Sequence, residues 1–273
     1  MTGTLAQLIA LTTYGNAYLM TGNLPAEFYP SNTTFQFCGT VEFVEFKKTF
    51  FFSKPKETVV STTPTDWFKM LKNGGCKKLR LYFQHSNDQS LAQDHKMAGM
   101  VGGGGTWLIE GVYDIHSDYW ANRWEVKDQN APNRKIWKVS YGLTASHNKT
   151  TDLQVDLDSA KEKLSQTLTE IAVFASQHKY QGWAEQFDKA KAVLSSTNPG
   201  ENYYHKDLII AENYSLKAQQ VLFAACTAWV FGGMGSWNDI VFDNKDDEKK
   251  YDELSAKLYY NINQSILAAV NSY

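Results

Sequence analysis

Near residue 150 the hydrophobic pattern of this chain changes period, and that change limits its folds more than any other feature. Upstream, apolar and polar side chains alternate, as strands buried on one face require. Downstream, apolar residues recur every three or four positions, which aligns them in one stripe along an α-helix. The two periods in successive blocks predict an α+β fold. Residues 1–150 are expected to form a mostly antiparallel sheet with one or two helices, and residues 151–273 a four-helix, bundle-like layer. The polar junction at residues 146–152, Ser-His-Asn-Lys-Thr-Thr-Asp, is short. The two parts are therefore either separate domains or two layers sharing one core, and 273 residues fit either at about 150 residues per domain.

In residues 35–46, Phe35, Phe37, Val41 and Phe43 fall on one face and Gln36, Thr40 and Glu42 on the other, which predicts a strand. Val44 and Phe46 invert the pattern, so this strand is buried on both faces or carries a bulge near Gly39. Short strands are expected at 50–52 and 58–62 and a longer one at 77–84. Those at 107–115, 119–126 and 136–143 should form an antiparallel meander. Helices are expected at 5–11, at 66–72 with Thr65 as N-cap and Gly74 as a left-handed stop, and around 90–97. Four more follow at 156–178, 180–194, 206–231 and 246–271. The third is apolar on nearly every side from Val221 to Phe231, which marks it as the most buried, and Gly232 and Gly233 supply its stop.

Composition excludes several classes. A chain that is 43% hydrophobic and 14% aromatic with a net charge of −2 is neither disordered nor a strongly basic nucleic-acid binder. The Lys77, Lys78 and Arg80 stripe reads as a solvent-facing strand side. Cys38, Cys76 and Cys226 are odd in number and fit neither a disulfide framework nor a zinc half-site, so we read them as reduced thiols. Residues 1–20 carry no Lys or Arg, and the longest apolar stretch, 221–231, falls far short of the about 20 residues that span a bilayer. A cytoplasmic protein with neither a membrane nor a nucleic-acid partner is expected.

Two stretches carry candidate chemistry. On one continuous strand Glu110, Asp114, His116 and Asp118 would share a face, where they could hold a divalent metal or let a carboxylate orient His116 as a general base. The simpler reading makes 114–118 a hairpin turn whose Asp and Ser accept backbone hydrogen bonds, and we prefer it because the cluster lacks a fixed ligand spacing. The second stretch, residues 231–239, is Phe-Gly-Gly-Met-Gly-Ser-Trp-Asn-Asp. Gly233 and Gly235 allow close approach, and Trp237, Asn238 and Asp239 add an aromatic anchor and polar contacts for a partner, or else the stretch is a helix stop with Trp237 packed inward. It has no Lys-Ser/Thr ending and follows a helix, so it is no phosphate loop. The glycine run at 102–105 precedes a strand and reads as a connector. The acids of 243–253 lack the ligand spacing and mid-loop glycine of an EF-hand. These observations favour a non-enzymatic interaction protein, for example an immunity or inhibitor protein that binds a toxin or enzyme, with no cofactor. The alternative is a hydrolase that uses the Asp/His cluster, and that reading alone calls for a divalent metal.

Overall fold

A computed structural model describes residues 1–47, 56–84, 94–98 and 104–273. Among them, β1 (Cys38–Lys47), β2 (Lys56–Ser61), β3 (Lys78–Gln84), β4 (Thr106–Val112), β5 (Ser117–Val126) and β6 (Trp137–Asn148) build one sheet. Its order is β2-β1-β6-β5-β4-β3. The meander is present, with β3, β4, β5 and β6 each antiparallel to the next. The sheet is nevertheless mixed, because β1 runs parallel to β6. A parallel pair needs a long crossover, and the whole of β2 to β5 supplies it here. The strand expected at 50–52, most of the helix at 90–97 and glycines 102 and 103 lie outside the described residues.

One sheet face carries the alternation into the core. Leu79 and Leu81 of β3, Ile109 of β4, Trp120 of β5 and Tyr141 of β6 are buried there. Both causes given for the inverted pattern in β1 operate. Phe43 and Val44 are buried on opposite faces, and the register shifts between Cys38 and Thr40. A Cβ on Gly39 would lie 2.6 Å from the Lys135 carbonyl oxygen, so the bulge requires glycine there. Phe35 and Phe37 are not in the strand. Asn32 caps a 3-10 turn at Thr33–Phe35 by accepting from the Thr34 N–H, and the strand begins only after it.

The helices are α1 (Gly3–Thr21), α2 (Pro64–Asn73), the single turn α3 (Asp94–Met97), α4 (Leu157–Gln177), α5 (Gln181–Val193), α6 (Leu216–Thr227) and α7 (Lys245–Val270). Helix α1 runs well past the expected 5–11, because the polar residues that interrupt its apolar run are buried with partners. Thr12 donates to the Leu8 carbonyl and Thr13 to that of Ala10. Helix α2 starts earlier than expected. Pro64 supplies a preset first turn, and Thr63 rather than Thr65 accepts from the Asp66 N–H. The left-handed residue at its end is Gly75, with φ 86°, whereas Gly74 is right-handed.

Helix α6 departs most from expectation. It begins at Leu216 instead of 206, capped by Ser215, and ends at Thr227, before Gly232 and Gly233. Helix α4 packs on α5 and α7, and α6 on the same two, giving the four-helix layer. Buried apolar side chains from the sheet, such as Leu81 and Trp120, and from the helices, such as Leu164, Val221 and Ile266, belong to one cluster. No helix among the described residues is long and apolar enough to cross a membrane.

Candidate functional site

The acidic cluster is divided by a turn. Strand β4 ends at Val112, the Tyr113 N–H donates to the His116 carbonyl at 2.9 Å, and β5 starts at Ser117. Across this hairpin Glu110 faces Tyr119, while Asp118 pairs with Gly111. Adjacent residues of a strand point to opposite faces, so Asp118 is on the side away from Glu110. Glu110 is wholly buried and accepts from Arg80 Nε and Nη2, each at 2.9 Å, and from the Tyr119 hydroxyl at 3.1 Å. Asp114 is exposed and lies 3.5 Å from Lys77 Nζ.

The structure does bring His116 and Asp118 together. His116 Nε2 is 3.8 Å from Asp118 Oδ1, beyond a direct hydrogen bond, and the His116 ring stacks on Tyr113 at 4.5 Å and 6°. Asp118 Oδ1 instead accepts from the His147 N–H at 2.9 Å. Among the described residues no three His, Cys, Asp or Glu side chains converge as metal ligands.

The loop between α6 and α7 is a built feature. Its base is Trp237, whose side chain is fully buried. Phe187 and Trp183 meet this ring edge-on at 5.1 and 5.8 Å, and its indole N–H donates to Ser255 Oγ at 2.7 Å. The Tyr251 hydroxyl donates to the Trp237 carbonyl. Trp237 is therefore a plug that fixes the loop, and it offers no surface to a partner. Asn238 is engaged as well, its amide donating to the His95 carbonyl at 3.0 Å. Asp239 accepts from the Gly235 N–H, where a φ of 85° closes the tip of the loop.

With both ends held, the tip Gly233-Met234-Gly235 projects, and Met234 is wholly exposed. Val241 is exposed further along the same loop. Beside the loop opens a cavity of about 820 Å³, lined by Tyr180, Trp183, Trp229, Phe231 and Gly232. Compared with models of known families, with curated proteins and with solved structures, the chain matches none.

The sequence reading located this loop and missed its outward residue. An apolar side chain set between glycines was the available signal, since glycines on both sides leave it nothing to pack against. It also missed a polar constellation. The Thr33 hydroxyl donates to Asp207 and lies 2.8 Å from His205 Nδ1, while the Thr33 N–H donates to Asp207 Oδ2 at 2.7 Å. Burial holds the His205 imidazole below its ordinary 6.5, with Asp207 pulling the other way. Burial also raises the thiols, those of Cys76 and Cys226 to about 12, so neither is poised as a nucleophile at neutral pH.

Proposed function

We propose that this chain is a non-enzymatic protein-binding module that engages its partner through the α6–α7 loop, with Met234 as the inserting side chain. The carrying observation is a fully exposed methionine on a tip whose base is locked by Trp237, Asn238 and Asp239. A flexible thioether adapts to a partner's pocket, and a preorganised loop loses little entropy on binding. Tyr180, Trp183 and Phe231 in the adjoining cavity supply an aromatic surface for the partner's own side chain. An immunity or inhibitor protein that blocks a toxin or enzyme is the concrete form of this reading. The reducing cytosol is its compartment, in keeping with three buried, unpaired cysteines.

Photocrosslinking tests the proposal, with a benzoylphenylalanine placed at 234 and, as control, at the exposed Val173 on α4. One protein should be captured from 234 and not from 173. Met234→Asp should then weaken that complex about tenfold or more. Its melting temperature should be unchanged, because the side chain touches nothing to begin with. Equal affinity of Met234→Asp and wild type for the captured protein would remove the loop as the contact.

A further inference from the structure

Of the eight tryptophans, Trp67, Trp120 and Trp237 are fully buried. The remaining five are half-buried, and every one lines a cavity. Four of these, Trp107, Trp124, Trp137 and Trp229, line a single space of about 690 Å³ beside the first turn of α1. Sheet register gathers three of them. Ile109 pairs with Trp120 and Trp124 with Val139, so Trp107, Trp124 and Trp137 project from one face at one end of the sheet. Trp124 and Trp137 meet at 5.9 Å and 69°, and Trp229 meets Tyr259 at 5.9 Å and 65°. The cavity thus combines indole faces with indole edges.

The polar groups among these rings are as specific as the rings. Asn122, Thr2, Thr4 and Thr106 are neutral, and each can both donate and accept. Asn122 donates a long 3.5 Å bond to the Thr4 carbonyl and also bonds the Tyr141 side chain, while the Thr2 and Thr4 hydroxyls bond one another at 2.9 Å. Arg123 is the single charged residue among the lining residues, and Glu57 and Glu125 already hold its guanidinium. Among the described residues an anionic ligand would find no free cation here, and a purely aliphatic one would place no hydrogen-bonding group against the Asn122 amide or the Thr106 hydroxyl. A pyranose ring satisfies both requirements, with a flat C–H face to stack on an indole and a rim of hydroxyls that exchange hydrogen bonds in either direction. We propose that this cavity binds a neutral oligosaccharide, stacked on Trp124 and Trp137 and hydrogen-bonded by Asn122. The site shares Thr2 and Trp229 with the cavity beside the Met234 tip, but Trp124 and Asn122 belong to it alone, so either proposal can fail without the other.

Calorimetry and tryptophan fluorescence on the full chain test it, with maltopentaose, cellopentaose, xylopentaose and N-acetylchitopentaose as probes. At least one should bind saturably and shift the emission. Trp124→Ala should weaken that binding about tenfold, the size of one lost stacking contact, while Trp124→Phe keeps most of it. Asn122→Ala should weaken it with the circular dichroism spectrum unaltered, which guards against misfolding of the indole variant. The proposal is overturned if no probe binds at millimolar concentration, or if binding survives both alanine substitutions. It is overturned as well if an apolar dye occupies the cavity in a Trp124-dependent manner and no sugar displaces it.

Discussion

Glu110 and Arg80 form a bidentate pair on neighbouring strands, with the Glu110 side chain wholly buried and that of Arg80 only 14% exposed. Removing one partner of such a pair leaves the other charge stranded, at a cost of about 3–5 kcal/mol, whereas replacing both with apolar residues of similar size costs far less. Glu110→Ala should therefore lower the unfolding free energy measured in urea by that amount, and the Arg80→Met/Glu110→Leu double variant should recover most of it. A single variant as stable as wild type would mean that the pair contributes nothing to the fold. The sequence offered two readings of Glu110, Asp114, His116 and Asp118, a shared face counted in twos along one strand and, preferred, a hairpin turn at 114–118. The structure has the turn, at Tyr113-Asp114-Ile115-His116, and it breaks the count. Once the chain reverses, the neighbours of Glu110 are Tyr119 and Arg80 across the sheet. Trp237 illustrates the same limit, since residue type does not say whether an indole faces a partner or the core.

Strand β3 ends the sheet, and an open strand edge invites pairing with another chain. Two asparagines close this edge. The Asn16 side-chain amide of α1 donates to the Leu79 carbonyl at 2.8 Å and accepts from the Leu79 N–H at 2.7 Å. Asn271, the C-cap of α7, does the same for Leu81, with both bonds at 2.8 Å. A carboxamide presents a donor and an acceptor side by side, as a strand residue's own N–H and C=O do along an edge, so the two residues stand in for a pairing strand at Leu79 and Leu81. Asn16→Leu keeps the approximate volume and leaves both Leu79 groups buried and unpaired. At about 1–3 kcal/mol per group the loss should be about 2–6 kcal/mol, measurable by denaturant unfolding, with light scattering reporting new self-association. Stability within about 0.5 kcal/mol of wild type would refute the edge-closing role. Asn16 lies beyond the helix expected at 5–11. Its partner on β3 is 63 positions away, and no local pattern carries that information.

At the scale of the whole molecule, the change of period near residue 150 was legible as a sheet followed by a helical layer, because each layer writes its own spacing. The contacts that join distant segments were not legible. The helix expected from 206 fails to start there because Asp207 is committed elsewhere. Its carboxylate accepts from Thr33, and its carbonyl accepts from Asn32 Nδ2 at 2.6 Å and the Tyr14 hydroxyl at 3.1 Å. His205 sits in this junction with its imidazole held below 6.5, first by burial and then by the chain's amino terminus, against the pull of Asp207. A base with a depressed folded-state pKa binds its proton more readily once unfolded, so acid favours the unfolded chain. The contribution of His205 is complete above the unfolded value near 6.5, declines as pH falls through it, and levels off below the folded value. Calorimetric melting temperatures should therefore fall as pH drops below about 6.5, and His205→Asn should flatten that fall. Identical slopes in variant and wild type would show that the junction does not sense protonation.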